Sequence, residues 1–248
     1  MALNMNFNHI PNSDKKKRLK NQIKLIVFHY TGMQSKVAAF IKLCNPKYKV
    51  SCHYFIDEQG NIEKIVPEEF SAWHAGKSSW KNYKFLNKFS IGIELVNPGH
   101  DYGYRKFSKK QIHSLKKMSK KLISKYNIKS SNIVGHSDVA PLRKKDPGEK
   151  FPWKELANSK IGIWHNLKTK ELKKNRRKKI NLNEKKFFFK CIKKIGYQIH
   201  YNLKKSIYEN KIVKAFQRRF RPEYISGVID QESLLIAKNL SFLVINKS

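Results

Sequence analysis

The chain reads as an α/β protein with a small helical domain at its C-terminal end. Three observations lead to that class. Short apolar runs of strand length alternate with stretches of helical periodicity through residues 23–165. A basic run without apolar periodicity follows Trp164. Beyond it, three short helical patterns occupy 184–245.

IKLIVFH (23–29) is a continuous apolar run of the kind a buried strand shows, and it ends on His29. After Gly32, residues Val37, Phe40, Ile41 and Cys44 recur at helical spacing, and Pro46 closes that helix. SCHYFIDEQGNIEKIV (51–66) has the form of a hairpin with its turn around Gln59-Gly60-Asn61. SIGIELV (90–96) is another apolar strand, and it carries a single acid, Glu94. Ser108 and Gln111 have capping-box spacing ahead of Ile112, Leu115, Leu122, Ile123 and Tyr126, which predicts an amphipathic helix over 109–126. Its polar face is almost all Lys, the composition of a solvated surface. NIVG (132–135) is a further strand and leads into His136. KTKELKKNRRKK (168–179) is expected to be a solvated tether. Helical patterns then run around 187–195, 207–220 and 231–244, with the turn-rich PEYISG (222–227) between the last two. A helical unit of roughly 60 residues lies near the lower size limit for an independent core. The expected division is an N-terminal extension over 1–22, a main domain over 23–165, a basic linker over 166–183 and a helical domain over 184–245.

With 40% hydrophobic and 12% aromatic residues, the chain can fill a core, which argues against global disorder despite a mean hydropathy of -0.64. The formal net charge of +35 is the dominant anomaly. Only eight of the 53 basic residues are Arg. Codon usage in an AT-rich genome would produce that Lys excess whatever the protein binds. An anionic partner would also explain it, because a field of this size attracts polyanions and speeds encounter with them. Nucleic acid and acidic cell-wall fragments are both partners of that kind. Cys44, Cys52 and Cys191 are scattered, with no CxxC pair, which speaks against a disulfide framework and a thiolate metal site. That cysteine usage suits a reducing compartment. The first residues hold no apolar run of signal-peptide length, and no stretch approaches the roughly 18 apolar residues of a membrane span. A cytoplasmic setting is expected.

His29, Glu94 and His136 are polar residues that buried strands do not need. GHSDVAPLRKKDPG (135–148) adds Asp146 between Lys145 and Pro147, ten residues after His136. Singly, each has an ordinary structural reading: a satisfied core histidine, a carboxylate paired with a lysine, a turn aspartate. Together, two imidazoles and a carboxylate make an N/N/O set. Three such protein ligands leave a fourth tetrahedral position for water, as catalytic zinc sites do. Zinc lowers the pKa of that water to about 7. A nearby carboxylate can then carry the proton, and a nearby cation can stabilise an oxyanion. On residue chemistry alone the chain is a candidate metallohydrolase, and Asp146 stays open between turn, ion-pair and ligand roles.

Five motifs in order resemble the type 2 N-acetylmuramoyl-L-alanine amidases, a zinc amidase family, over roughly residues 23–155. LIVFHYTG (25–32) is similar to the strand bearing the first zinc histidine, SCHYFIDEQGNI (51–62) to the family's hairpin, and AWHAG (72–76) to its tryptophan-histidine loop. SIGIELVN (90–97) resembles the strand with the catalytic glutamate. GHSDVAPLRKKDPG resembles the block that holds the second histidine, the catalytic lysine and the zinc aspartate. The resemblance implies Zn2+ bound by His29, His136 and Asp146, with Glu94 as general acid/base and Lys144 stabilising the tetrahedral intermediate. Trp73, His74 and Asn97 are the candidate substrate-binding residues. Asp138 is expected to be a local partner of the His136 loop, and Lys145 an ordinary solvent lysine.

The implied fold is a mixed central β-sheet flanked by helices, shared with peptidoglycan-recognition proteins. The implied reaction is hydrolysis of the amide joining the lactyl group of N-acetylmuramic acid, or its 1,6-anhydro form, to L-alanine. Peptidoglycan fragments or muropeptides are then the partners, in cell-wall turnover or recycling, with the chain acting as a monomer. KIVKAFQRRFRPEYISGVIDQESLLIAKNL (211–240) resembles a peptidoglycan-binding type 1 domain of three helices. It departs from that pattern where YNLKKSIYEN (201–210) replaces a glycine-rich turn. A non-catalytic peptidoglycan binder of the same fold is the main rival, and such proteins lose a metal ligand. A nucleic-acid binder is the other, but no recognisable motif accompanies its charge, so no specific nucleic acid is expected.

Overall fold

Three apolar strands pair in parallel to form the centre of the molecule. The structure, a computed structural model, describes residues 12–199 and 205–245. Its elements are β1 (Leu25–Tyr30), α1 (Lys36–Cys44), β2 (Tyr54–Ile56), β3 (Ile62–Lys64), β4 (Ser79–Trp80), β5 (Tyr83–Lys84) and β6 (Ser90–Leu95), then α2 (Lys109–Tyr126), β7 (Ile133–Gly135), α3 (His136–Val139) and α4 (Trp153–Asn158). Four more helices follow: α5 (Thr169–Asn175), α6 (Leu182–Ile195), α7 (Lys205–Phe220) and α8 (Gln231–Ile245). The main sheet has the order β3-β2-β6-β1-β7. All its pairings are parallel except the β2–β3 hairpin, so the sheet is mixed as expected.

The side-chain period of two divides this sheet into chemically different faces. Ile26 and Phe28 of β1 stand beside Ile91 and Ile93 of β6. With Leu95 and Ile133 they pack on Ile112, Leu115 and Leu122 of α2 and on Trp153 and Leu156 of α4. The opposite face carries Leu25, Val27 and His29 beside Ser90, Gly92 and Glu94. Its apolar part, Leu25 and Val27 with Val134, joins the core of the C-terminal helices through Phe188, Ile192, Phe216 and Leu240. Phe55 of β2 packs under Ala39 and Leu43 of α1. Between these two covered regions the polar end of the face, His29 and Glu94, is buried at the floor of a cleft.

α2 occupies the predicted range, and its capping box forms. Ser108 Oγ accepts from the Gln111 N–H at 3.0 Å, and the Gln111 side chain accepts from the Ser108 N–H at 3.0 Å. The described part of the N-terminal extension is anchored to the main domain. Arg18 is buried and donates to the carbonyls of Glu68, Asn87 and Ser90 at 2.8–3.0 Å. Residues 1–11 of that extension lie outside the described residues. One expectation changes. The basic stretch after Lys168 is not a solvated tether: it contains α5, whose Leu172 is buried in the helical core. Arg176 then binds Glu232 at 2.6 Å and Glu223 at 2.5 Å. Those partners come from distant sequence, so local periodicity could not reveal them. Among the described residues no helix is long and apolar enough to cross a membrane.

The helical region is also tied to the sheet by a buried polar group. Arg219 of α7 donates to Asp138 Oδ2 at 2.7 Å and to the Ile133 carbonyl at 2.9 Å. Its guanidinium lies 4.2 Å from the Trp153 ring centroid. Tyr197 donates to Asp138 Oδ1 at 2.6 Å, and the Gly135 N–H donates to Oδ2 at 2.8 Å. Removing one member of a buried ion pair leaves an uncompensated charge, at a cost of about 3–5 kcal/mol. Arg219→Met should therefore lower stability by about that amount in urea unfolding. A loss below about 1 kcal/mol, the range of a surface pair, would show that this contact does not hold the helices to the sheet.

Candidate metal centre

Strand order brings the three proposed ligands together. β7 is β1's other neighbour, so His136, the first residue after it, lies close to His29 near the end of β1. The chain then leaves α3, turns through 140–145 and returns with Asp146. The Ser137 N–H donates to the Asp146 carbonyl at 2.8 Å and the Lys144 N–H to the Ala140 carbonyl at 3.1 Å, which closes that turn. Gly135 lets it pack tightly, since a Cβ there would come 2.6 Å from Pro147 Cδ. As a result His29 Nδ1, His136 Nδ1 and Asp146 Oδ2 lie 3.0 Å from one another. All three residues are buried.

Hydrogen bonds behind the imidazoles favour tautomers that leave one nitrogen of each ligand ring bare. Ser90 Oγ donates to the Leu86 carbonyl at 2.6 Å, so it accepts from His74 Nε2–H at 3.1 Å. His74 Nδ1 must then accept from His29 Nε2–H at 3.0 Å, and His29 Nδ1 is left with a free lone pair. His136 Nε2–H donates to the Ala75 carbonyl at 3.2 Å, leaving its Nδ1 bare in the same way. Burial, and next the neighbouring His136, pull the His29 imidazole down to about 4, which keeps it neutral. Burial opposes charge on Asp146, yet His136 and His29 outweigh it and hold the carboxyl well below its ordinary range. Two imidazole nitrogens and a carboxylate oxygen thus face one point. With both nitrogens unprotonated they make an N/N/O donor set that suits zinc.

Glu94 lies beside this triad, paired in register with His29 and with its Oε1 4.0 Å from His29 Nδ1. Its Oε2 is buried and has no hydrogen-bond partner among the described residues. Burial, then the charge of Asp146, push the Glu94 carboxyl well above its ordinary value, while Lys144 and Lys42 oppose the rise. A cleft of about 350 Å³ opens over these groups, lined by His29, Glu94, His136, Lys144 and Asp146 together with His74 and α1.

Six of the residues singled out from sequence therefore converge, and two do not. Trp73 is half-buried and donates from Nε1 to Asp14 Oδ1 at 2.9 Å, away from the cleft. Asn97 is buried and ties a loop by donating to the Arg105 carbonyl at 2.8 Å and accepting from the Gly99 N–H at 3.1 Å. Both hold scaffold rather than line the cavity. Lys145 is exposed but does line the cleft, so it is more than a remote solvent lysine. Arg143 was not singled out, yet it donates to the Lys77 carbonyl at 3.0 Å and to Ala75, beside His136 Nε2 at 3.3 Å. The roles of Ser90 and Gly92 were missed as well. The His74 ring sits against Gly92, where any Cβ would collide with it. A glycine inside a strand is the signal for that close approach.

Residues 19–149 match the Amidase_2 family, N-acetylmuramoyl-L-alanine amidase. The N-acetylmuramoyl-L-alanine amidase AmiD of Escherichia coli (strain K12) is 33% identical over 233 residues, spanning 88% of this chain and 82% of that protein. The solved complex of E. coli AmiD with anhydro-N-acetylmuramic acid-L-Ala-D-gamma-Glu-L-Lys has a TM-score of 0.78 at 31% identity, covering 92% of this chain and 91% of that one. Pseudomonas aeruginosa AmpDh3, solved with an anhydromuramic pentapeptide, also gives 0.78, at 29% identity over 97% of this chain and 98% of its own. Both likenesses extend through the sheet and the C-terminal helices. The chain belongs to the N-acetylmuramoyl-L-alanine amidase family.

Proposed function

We propose that this amidase is a zinc enzyme that hydrolyses the lactyl amide between 1,6-anhydro-N-acetylmuramic acid and L-alanine in released muropeptides. The observation that carries the reading is the convergence of two imidazole nitrogens and a carboxylate oxygen, mutually 3.0 Å apart, beside the buried Glu94, whose Oε2 has no partner among the described residues. The two solved relatives support the substrate, since each is named with an anhydromuramyl peptide. A non-catalytic binder of this fold would lack a ligand, and none is lacking here.

His29 Nδ1, His136 Nδ1 and Asp146 Oδ2 would hold the metal, which when bound supplies a Lewis acid able to make water nucleophilic near neutral pH. Glu94 accepts the proton that this water gives up and delivers it to the alanine nitrogen as the amide C–N bond breaks. A buried carboxyl whose pKa is raised can hold the proton between those two steps. The ammonium of Lys144, half-buried on the cleft wall, stabilises the oxyanion that forms when the carbonyl is attacked. Ser90 and His74 act behind His29, keeping its Nδ1 bare.

The purified protein should contain one zinc per chain, lose activity on chelation and regain it with added zinc. Full turnover by rigorously metal-free protein would end this reading. Glu94→Gln should keep the metal and lose about 10²–10⁴-fold in turnover, because an amide cannot accept the proton. Near-normal turnover in that variant would return Glu94 to a core role. Lys144→Ala should lose on the order of 10²–10³-fold with zinc retained, as expected for one preorganised oxyanion donor. Lys145→Ala should lose less than about tenfold, and the deficit should shrink as salt rises. Equal losses in the two lysine variants would reduce the pair to generic positive charge.

A further inference from the structure

The 141–145 loop has two sides. One lines the metal cleft, and the other faces α7 across a second depression of about 470 Å³. Arg143, Lys144 and Lys145 line both spaces, so the two adjoin along this loop. Lys211, Lys214 and Arg218 line the second space from the far side. Their spacing of three and four residues puts them on one face of α7. Pro141, Leu142 and Ile225 complete the lining, and no acidic residue takes part among the described residues. Glu149 lies 3.8 Å from Arg218 and partly offsets it. The other five cations have no ion-pair partner within 4.0 Å among the described residues. Elsewhere Lys36, Lys116, Lys125 and Lys185 each meet a carboxylate. Codon bias accounts for many lysines, but not for a concave group of cations left without acids beside a hydrolytic centre. Like charges gathered in a recess raise its potential and favour an anion there.

Building on the amidase reading of the cleft, we propose that this depression is a subsite for the carboxylates of the stem peptide. The C-terminal helices would then form part of the substrate site, supplying one wall of it through α7. The chemistry selects an anionic peptide. In a muropeptide such as anhydro-N-acetylmuramic acid-L-Ala-D-γ-Glu-L-Lys, the γ-linked glutamate and the terminal residue each keep a free carboxylate.

The test compares that muropeptide with its diamide, which has the same scissile bond but no free carboxylate. The variant is Lys211→Ala/Lys214→Ala, outside the catalytic group. The unaltered enzyme should have the lower KM for the free acid at low salt, and this advantage should narrow at high salt. The double variant should raise KM for the free acid by about threefold to tenfold and leave the diamide unchanged, with kcat kept for both. Normal diamide hydrolysis also shows that the variant is folded. A double variant that keeps the free-acid preference, or slows both substrates equally, overturns the subsite. Calorimetry with the tripeptide L-Ala-D-γ-Glu-L-Lys reads the subsite without turnover. If neither muropeptide is cleaved by the unaltered protein, the amidase reading fails; weaker tripeptide binding by the variant would still support the subsite, and equal binding would overturn it.

Discussion

The site depends on the registration of β1 against β6. His29 stands beside Glu94 because Leu25 aligns with Ser90 and every later pair follows. A slip of one residue would turn one strand over relative to the other and send its polar set into the apolar layer under α2. Ile26, Phe28, Ile91, Ile93 and Leu95, all fully buried against that layer, make such a slip prohibitive. Once the register is fixed, the rest has little freedom. Gly92 provides the flat spot on which the His74 ring rests, and Ser90 orients that ring. β7, on the far side of β1, delivers His136 to the same end.

A second constraint acts from behind. Asp138, two residues after the proposed ligand His136, is fully engaged by Arg219, Tyr197 and the Gly135 N–H. One carboxylate thus joins the turn that aims His136 to two parts of the helical region. Desolvating these groups costs free energy, which the fully engaged Asp138 carboxylate offsets even though Arg219 Nε finds no partner among the described residues. Arg219 is the penultimate residue of α7, and Arg218 beside it points toward Glu149 and the basic recess. The buried contact therefore fixes where α7's cations stand relative to the cleft. In this chain, the stability of the helix–sheet junction and the shape of the site are one problem.

Much of this was legible in the sequence, because much of it follows from periodicity. The central strands, α2 with its capping box, the hairpin and the last three helices lie within a few residues of where apolar spacing puts them. The proposed ligand triad was legible through the ordered motifs, and the structure brings its members together. Other features depend on contacts between residues far apart in the chain. α5 carries a single buried apolar residue, Leu172, and is held by ion pairs from α8 and the turn before it, so a local window shows only charge. Arg18 looks like part of a basic tail until its carbonyl partners at Glu68, Asn87 and Ser90 are known. Trp73 shares a motif with His74 yet points elsewhere: its indole meets Asp14, while the His74 ring meets His29 and Ser90. One signal was present but unread. SIGIEL alternates Ile, Ile and Leu with Ser, Gly and Glu, which marks a strand with one apolar and one polar face rather than a uniformly apolar one.

That polar face holds two buried carboxyls whose environments drive them in opposite directions. Asp146 faces two imidazoles that favour its charged form strongly enough to overcome burial. Glu94 is equally enclosed but meets no donor at Oε2, and the negative Asp146 nearby adds to the penalty on its charge. Residue type does not distinguish the two, and neither does depth. The difference lies in which atoms each can reach, and strand register sets that: Glu94 is held one strand away from the point where the imidazole lone pairs converge. A cation at that point would weaken Asp146's effect on Glu94 while drawing Asp146 closer to its charged form. Separate environments of this kind would divide one chemical group into the two roles the proposed mechanism requires, a permanently charged ligand and a carrier that can take and return a proton.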